Sequence, residues 1–329
     1  MTMLARLSVA VPIFNEADVL PELLQRLGRV LDGLPGGPHE IVMVDDGSRD
    51  GSREALVRAA AVEPRLVVVL LSRNFGHQAA LSAALDHVTG DAVVLMDGDL
   101  QDPPEAIPGF VQTHLEGYDV VYARRVRRKE GWLLRLCYAT FYRVLARLSS
   151  VELPVDAGDF GLMARRVVDQ LRQTPERHRY LRGLRAWAGY RQIGVAVERS
   201  ARAGGESKYS LAKLVALACD GLFSFSVAPL RAAALLGIGA ILLSSLYALY
   251  SVVAKLAFGH APQGFTALIV VMTFLSGMNL LFLGLLGEYL GRVYEEVKRR
   301  PMYVVDQVVR CNVAGPALRA EAVVAETGR

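Results

Sequence analysis

The chain has 329 residues, of which 52% are hydrophobic, and its mean hydropathy of +0.29 is high for an enzyme that lies wholly in water. Its formal net charge of +4 is too small to indicate a nucleic-acid-binding protein. The three cysteines have no metal-binding spacing and no evident partners, which favours a reducing compartment for the part of the chain outside any membrane.

The first third of the chain alternates apolar runs with segments of helical periodicity. Apolar runs at 7–13, 40–44, 66–71 and 92–96 predict four buried strands, and the intervening periodicity predicts helices at 17–31, 50–61 and 78–87. Strands that are apolar throughout and separated by helices are typical of an α/β fold, with a parallel sheet covered by helices on both faces.

Polar residues follow every one of these predicted strands: Asn15 and Glu16, Asp45 and Asp46, Arg73, and finally Asp97 and Asp99. Ligands of such sheets bind beyond the carboxyl ends of the strands, so four polar ends in series predict a ligand site. A dinucleotide site of the Rossmann type is excluded because no GxGxxG loop follows the first strand, and no P-loop sequence is present.

An acidic segment, Asp97-Gly98-Asp99-Leu100-Gln101-Asp102, directly follows the fourth predicted strand. Gly98 allows the backbone to bend, so that two carboxylates can point to one place. Such a pair either holds a hard divalent cation against a phosphate or forms an ordinary solvated acidic turn. The segment alone leaves both interpretations open.

Three segments, 11–16 (VPIFNE), 44–48 (VDDGS) and 97–104 (DGDLQDPP), together resemble the opening motifs of family 2 glycosyltransferases. Within that family the chain resembles the polyprenyl-phosphate branch, which includes dolichol-phosphate mannose synthases and bactoprenol glucosyltransferases. The resemblance runs from about residue 7 to residue 303. It implies the glycosyltransferase-A fold, with a Rossmann-like, mostly parallel sheet, and an inverting transfer of one hexose from a nucleotide diphosphate sugar to a polyprenyl phosphate.

The resemblance also implies roles for residues at the strand ends. The nucleotide sugar would be bound by Pro12, Asn15, Glu16, Asp45, Asp46, Arg73 and Asp97. Asp97, Asp99 and Gln101 match the positions that hold Mg²⁺ or Mn²⁺, an ion that would stabilise the departing diphosphate as a Lewis acid. For residues 46–48 an ordinary turn with a helix N-cap is the alternative.

Asp159, within 155–160 (VDAGDF), matches the family position near the acceptor. A phosphate monoester is already largely ionised at neutral pH, so we expect Asp159 to orient the acceptor or to act as a weak base. The alternative is an N-cap before a helix at 162–171. With Asp99 and Asp159, Arg202 is a candidate catalytic residue. The histidines His77, His87 and His178 lack ligand spacing and are interpreted as structural or solvated.

Basic and hydroxyl side chains further along the chain would contact the donor diphosphate or the lipid phosphate, since guanidinium groups suit phosphate oxygens. The candidates are Arg124, Arg202, Ser207 and Lys208.

Two charge-free segments, 232–254 and 261–287, are each long enough to cross the hydrocarbon core of a bilayer. They predict a transmembrane hairpin with helices at about 230–256 and 264–289. Basic residues on both flanks place both termini and the catalytic domain in the cytoplasm, at the inner (plasma) membrane. A buried helix pair in a soluble protein is the alternative. The more polar segments 130–150 and 209–229 predict helices at the bilayer surface, and for 130–150 an amphipathic core helix is the alternative.

The predicted organisation is a catalytic domain over 1–208, a juxtamembrane helix over 209–229, transmembrane helices within 230–291, and a tail over 292–329 with a candidate strand at 302–309. Such a strand would expose an edge, so a homo-oligomer formed by pairing with another subunit is a hypothesis.

UDP-glucose is the first expected donor and GDP-mannose the second. Transfer of an N-acetylhexosamine or an amino-pentose, and a catalytically silent membrane scaffold, are the alternatives. A processive polysaccharide synthase is disfavoured because Arg185-Ala186-Trp187 lacks the glutamine of a QxxRW motif.

Overall fold

The computed structural model describes residues 6–125, 157–174, 176–177, 179–198, 228–258 and 264–311. These residues fall into two compact units. The first contains the described residues up to 198 together with 301–311, and the second contains the rest.

The first unit is built on an eight-stranded sheet. Its strands are β1 (Leu7–Ile13), β2 (Glu40–Asp45), β3 (Leu66–Leu71), β4 (Ala92–Leu95), β5 (Val120–Arg125), β6 (Ala157–Ala164), β7 (Gln192–Val197) and β8 (Val305–Arg310). The order across the sheet is β7-β5-β6-β4-β1-β2-β3-β8. The central strands β4-β1-β2-β3 are parallel, as predicted, and only β6 and β8 run against the other six. The mostly parallel α/β sheet is therefore confirmed.

Helices cover both faces of this sheet. They are α1 (Leu20–Asp32), α2 (Ser52–Val62), α3 (His77–His87), α4 (Ile107–Leu115), α5 (Arg165–Gln173) and α6 (Leu181–Trp187). Side chains alternate along each strand, so Val9 and Val11 pack in the core under α1, α2 and α4, whereas Ala10 packs in the core under α3, α5 and α6. Burial on both faces explains why the strand sequences are apolar throughout.

Two helix N-caps offered as alternatives from the sequence are not formed. Asp159 lies inside strand β6, and the helix that was expected to begin at 162 begins only at Arg165, so Asp159 is not an N-cap. Helix α2 begins at Ser52 after Gly51, so Asp46 does not cap it either. Asp159 is placed by strand β6, and Asp46 directly follows strand β2.

The strand predicted at 302–309 is present as β8, but its partner differs from the one expected. β8 pairs antiparallel with β3 of the same chain, rather than with another subunit. Just before the strand, the hydroxyl of Tyr303 donates to Asp86 of α3 at 2.5 Å, and within the strand Asp306 forms an ion pair with Arg53 of α2. The tail therefore completes the sheet of the first unit.

The second unit contains two long helices, α7 (Ala228–Phe258) and α8 (Phe265–Val297). Their 31 and 33 residues correspond to about 46 and 50 Å of helix, more than the hydrocarbon core requires. Both are long and apolar enough to cross a membrane, over Ala233–Val253 and Val271–Val297. Helix α8 continues about two turns beyond the predicted end, where Arg292 pairs with Glu288. The surface helices predicted at 130–150 and 209–229 lie outside the described residues, except that 228 and 229 belong to α7.

Candidate active site

The carboxyl ends of the parallel strands and the start of β6 meet at one edge of the sheet. In the antiparallel pair of β4 and β6, Leu95 lies opposite Gly161. Two residues further along the chain from Leu95 is Asp97, and two residues before Gly161 is Asp159. The same register therefore brings Asp97 level with Asp159, although 62 positions separate them in sequence.

The acidic segment forms a loop whose side chains alternate in exposure. Asp97, Asp99 and Gln101 are partly exposed, whereas Gly98, Leu100 and Asp102 are buried. A Cβ atom on Gly98 would come within 2.6 Å of Ile13 Cδ1 and 3.0 Å of the carbonyl oxygen of Pro12, so only glycine lets the loop lie this close to β1. The three oxygen-bearing side chains consequently share the outer side of the loop.

These three side chains fit a divalent cation. Carboxylate and carboxamide oxygens are the ligands that Mg²⁺ and Mn²⁺ prefer. Across the described residues, no three His, Cys, Asp or Glu side chains lie close enough together to bind a metal ion by themselves. The donor set therefore suits an ion that completes its coordination with water and with substrate phosphate oxygens, as Mg²⁺ commonly does.

The loops after β1 and β2 brace each other. The backbone N–H of Asn15 donates to Ser48 Oγ at 3.0 Å, and the N–H of Arg49 donates to Asn15 Oδ1 at 2.8 Å. The N–H of Glu16 donates to Ser52 Oγ at 2.9 Å. Asn15 and Glu16 thus tie the two loops together, while Pro12 lies buried in β1 beside them.

The adjacent aspartates Asp45, the last residue of β2, and Asp46, which follows it, have different surroundings. Asp46 accepts the backbone N–H groups of Phe75 and Gly76 at 2.7 and 2.9 Å, and burial raises its pKa against the opposing effect of these bonds. Asp45 is fully buried and accepts the N–H of Ser48 at 3.2 Å. Its Oδ2 is buried and has no hydrogen-bond partner among the described residues, which leaves an unsatisfied acceptor at the edge where the ligand site is predicted.

Arg73 and Arg124 are exposed. Arg73 follows β3 and stacks over the Phe75 ring, 4.1 Å from its centroid. Arg124 is on β5, opposite Ala157. Neither contacts the acidic loop in the described contacts. Arg202, Ser207 and Lys208 lie outside the described residues.

His77, interpreted from the sequence as structural or solvated, lies at this site. It begins α3, and its Nε2 is 3.6 Å from Asp97 Oδ1 and 3.9 Å from Asp159 Oδ2. Its interaction with Asp159, followed by the charge of Asp97, raises the pKa of the imidazole. His87 is structural as expected, with Nδ1 2.8 Å from the carbonyl oxygen of Ala83. His178 lies outside the described residues.

Asp159 is 7% exposed and paired with Arg182 of α6. Nε and Nη2 of Arg182 donate to Oδ1 and Oδ2 of Asp159 at 2.7 and 2.8 Å, in parallel. Burial alone would raise the pKa of Asp159, but the interactions with His77 and Arg182 outweigh burial and hold it well below the usual range.

Arg185 lies one helical turn after Arg182 and is 4% exposed. Its guanidinium is 5.1 Å from the centroid of the Tyr122 ring, and burial lowers its pKa to about 10. The sequence did contain a signal for both arginines. They are spaced i,i+3 on a short helix in which Leu181 and Leu184 are buried, which places them on neighbouring parts of one helix surface.

Comparison with known proteins places these features in a family. The family described as "Glycosyl transferase family 2" matches residues 8–172. A glycosyltransferase of Synechocystis is 44% identical over 307 residues, 93% of this chain and 96% of that protein. A prophage-derived bactoprenol glucosyl transferase of Shigella flexneri is 39% identical over 309 residues, 93% of this chain and 99% of that protein. Among solved structures, glucosyl-3-phosphoglycerate synthase of Mycobacterium tuberculosis superposes with a TM-score of 0.44 at 22% identity, covering 65% of this chain and 76% of that one.

Proposed function

We propose a reaction for this chain on the premise that it belongs to glycosyl transferase family 2 and is a glycosyltransferase. The chain transfers one hexose from a nucleotide diphosphate sugar to a polyprenyl phosphate, with inversion at the anomeric carbon. UDP-glucose is the first candidate donor and GDP-mannose the second. The observation that carries the proposal is the similarity to the Shigella flexneri bactoprenol glucosyl transferase, which extends over the catalytic unit and the apolar helices alike.

The acidic loop would hold the divalent cation of this reaction. Asp97, Asp99 and Gln101 supply the oxygen ligands, and Mg²⁺ and Mn²⁺ both suit that donor set. When bound, the cation supplies Lewis-acid stabilisation of the negative charge that grows on the leaving diphosphate. The buried Oδ2 of Asp45 supports a role in binding a ring N–H of the nucleotide base. Pro12, Asn15, Glu16, Asp46 and Arg73 surround the same strand ends and complete the proposed nucleotide pocket.

The two apolar helices would cross the membrane as a hairpin. Both described helices expose many leucine side chains. Such an apolar surface is unfavourable in water and favourable in the hydrocarbon core of a bilayer. The basic residues Lys298, Arg299 and Arg300 follow α8, and by the positive-inside rule they support a cytoplasmic position for the catalytic unit and both termini. A polyprenyl phosphate keeps its phosphate at headgroup height, where a membrane-anchored enzyme can reach it. A homo-oligomer is also proposed, but without β8 as its contact, because that strand pairs with β3 of its own chain.

The test is sugar transfer by the purified full-length chain in detergent. Radiolabelled UDP-glucose, GDP-mannose and UDP-N-acetylglucosamine are each offered with undecaprenyl phosphate and Mg²⁺ or Mn²⁺. We expect labelled lipid from UDP-glucose, and no label in lipid when the cation is removed by EDTA. Absence of transfer from every donor by a folded chain would favour the catalytically silent scaffold.

A further inference from the structure

Asp159 is not placed to accept a proton in this structure. Both of its oxygens receive N–H groups of Arg182, at 2.7 and 2.8 Å, and His77 lies 3.9 Å from Oδ2. A carboxylate in a two-pronged pair with a guanidinium is strongly stabilised as the anion. Removing it from that pair for proton transfer would leave the partly buried cation of Arg182 without its partner.

The proposed reaction gives Asp159 no proton to take. A phosphate monoester has a second pKa near 6, so at neutral pH its oxygens are already nucleophilic anions. What such an acceptor needs is a cation that holds it beside the anomeric carbon. Among the described residues at this edge of the sheet, Arg182 has the properties of such a cation. Its guanidinium is held by the buried Asp159, and its side chain is still 29% exposed.

The position of Arg182 in the site also suits a residue that binds the acceptor phosphate. Asp159 lies level with Asp97 across β4 and β6, and His77 contacts both carboxylates. An anion bound at Arg182 is therefore adjacent to the acidic loop that faces the donor phosphates. Arg185 is buried one turn further along α6, and its positive charge increases the attraction for an anion at this point.

We propose that Arg182 binds the phosphate of the acceptor and that Asp159 is a positioning residue, which fixes the guanidinium of Arg182. This inference rests on the proposed function, because it assigns the residue that receives the acceptor of that reaction. In the transfer, a phosphate oxygen of the acceptor forms a bond to the anomeric carbon while the bond from that carbon to the diphosphate oxygen breaks. The electron pair of the broken bond leaves with the nucleoside diphosphate, and no proton moves to Asp159.

The first test measures binding rather than turnover. The full chain in detergent is titrated with a short-chain polyprenyl monophosphate and with the corresponding alcohol, and the ratio of the two dissociation constants is compared among variants. A charge-assisted hydrogen-bonded contact corresponds to roughly a 10- to 150-fold preference, so Arg182→Ala should lower the phosphate preference by at least about tenfold. Arg182→Lys should restore part of it, because lysine keeps the charge without the planar fork. Arg58→Ala, an exposed arginine on α2, is the matched control and should leave the ratio unchanged.

An unchanged ratio in Arg182→Ala overturns the assignment. If that variant does not fold, Arg182→Lys and Asp159→Asn carry the test, since each should lower the ratio at least about threefold, and an unchanged ratio in both overturns the assignment equally. Because this ratio needs no turnover, failure of the wild-type chain to transfer sugar counts against the proposed function and leaves the binding result to decide the role of Arg182.

The second test separates positioning from base catalysis. Arg182→Ala should raise the KM for the lipid acceptor with little change in the KM for UDP-glucose. The double variant Arg182→Ala with Asp159→Asn should have a kcat/KM less than about threefold below that of Arg182→Ala alone. If Asp159 acts only by positioning Arg182, its loss has little effect once Arg182 is absent. Losses that multiply in the double variant would show that Asp159 acts independently, and would overturn this part of the proposal.

Discussion

Asp99 faces outward from the acidic loop, and its proposed role predicts a large effect on turnover. Loss of a cation ligand removes several kcal/mol of transition-state stabilisation, so Asp99→Ala should lower kcat by about a hundredfold or more. Membrane insertion should be unchanged, because Asp99 is remote in sequence from α7 and α8. Sugar transfer measured beside Glu54→Ala, an exposed acid on α2, checks this; activity within severalfold of wild type would remove the metal assignment.

Gly98 sets the distance between the acidic loop and β1. In Gly98→Ala the new methyl group would meet Ile13 Cδ1 at 2.6 Å, so the loop must shift, and we expect a weaker affinity for Mn²⁺ together with lower turnover. Ile13→Val removes that Cδ1 atom and should restore part of the activity in the double variant, despite costing about 0.5–1.5 kcal/mol in packing by itself. The measurement is the Mn²⁺ concentration that gives half-maximal transfer. If the double variant recovers no activity, the contact of the new methyl group with the carbonyl oxygen of Pro12, rather than with Ile13, causes the loss.

Glu40 lies at the opposite, amino-terminal edge of the strands from the acidic loop and stabilises the sheet there. Its buried carboxylate accepts the hydroxyl of Thr89 at 2.9 Å and a guanidinium N–H of Arg6 at 3.0 Å, as well as hydrogen bonds from Ser8 and the N–H of Thr89. Burial would raise the pKa of Glu40, but these hydrogen bonds outweigh it and lower the pKa below the ordinary 4.5.

A folded-state pKa below the unfolded value means that Glu40 contributes stability above about pH 4.5, and that this contribution is lost as the pH falls through the folded-state pKa. Glu40→Gln should therefore lower the free energy of unfolding by about 1–3 kcal/mol at pH 7, with a smaller difference below pH 4.5. Thermal unfolding of the wild type and of Glu40→Gln between pH 3.5 and pH 7 measures this difference in stability. A difference that stays constant across this range would contradict the prediction.

Strand β8 covers one edge of the sheet, and its removal should expose β3. A chain that ends before Met302 leaves the N–H and C=O groups of β3 unpaired beside apolar side chains, which favours association with other exposed strands. We expect larger species in detergent and a lower unfolding temperature, and not a smaller oligomer. A chain that ends at Cys311 keeps β8 and is the control. Light scattering measures the mass of the species, and thermal unfolding measures their stability. If both are unchanged by the truncation, β8 is dispensable.

The sequence predicted the elements whose pattern is local. The four central strands are apolar over their whole length because both of their faces are buried, and their polar ends mark the site. Strand β6 was not predicted, because its small residues give no β signal, and the helix offered as an alternative at 162–171 overlaps its last three residues. Gly161 is needed there since a Cβ atom would lie 2.5 Å from the carbonyl oxygen of Val121. The cluster of His77, Asp159 and Arg182 could not be predicted, since α3, β6 and α6 bring together residues from distant parts of the chain.

At the scale of the whole molecule, the exposed leucines of α7 allow the proposed membrane-spanning role of this helix to be tested. Leu243, near the middle of the apolar stretch, is 71% exposed. Leu243→Arg would be nearly neutral in water, but at the centre of a bilayer an arginine costs about 2.5–3.5 kcal/mol or more. We expect less protein in carbonate-washed membranes. Val62→Arg, at an 80% exposed position of α2, should leave the membrane fraction unchanged, and equal fractions for both variants would count against a spanning helix.

The pairing of β8 with β3 also fixes an order of events during synthesis. The partner of β3 emerges from the ribosome only after both apolar helices have been made, because residues 228–297 precede β8 in the chain. The nascent first unit therefore carries an open strand edge until both helices have been made, and under the proposed topology this period includes their delivery to a membrane. Delayed delivery should prolong that exposure, so the yield of soluble aggregates in a cell should depend on the capacity of its insertion machinery.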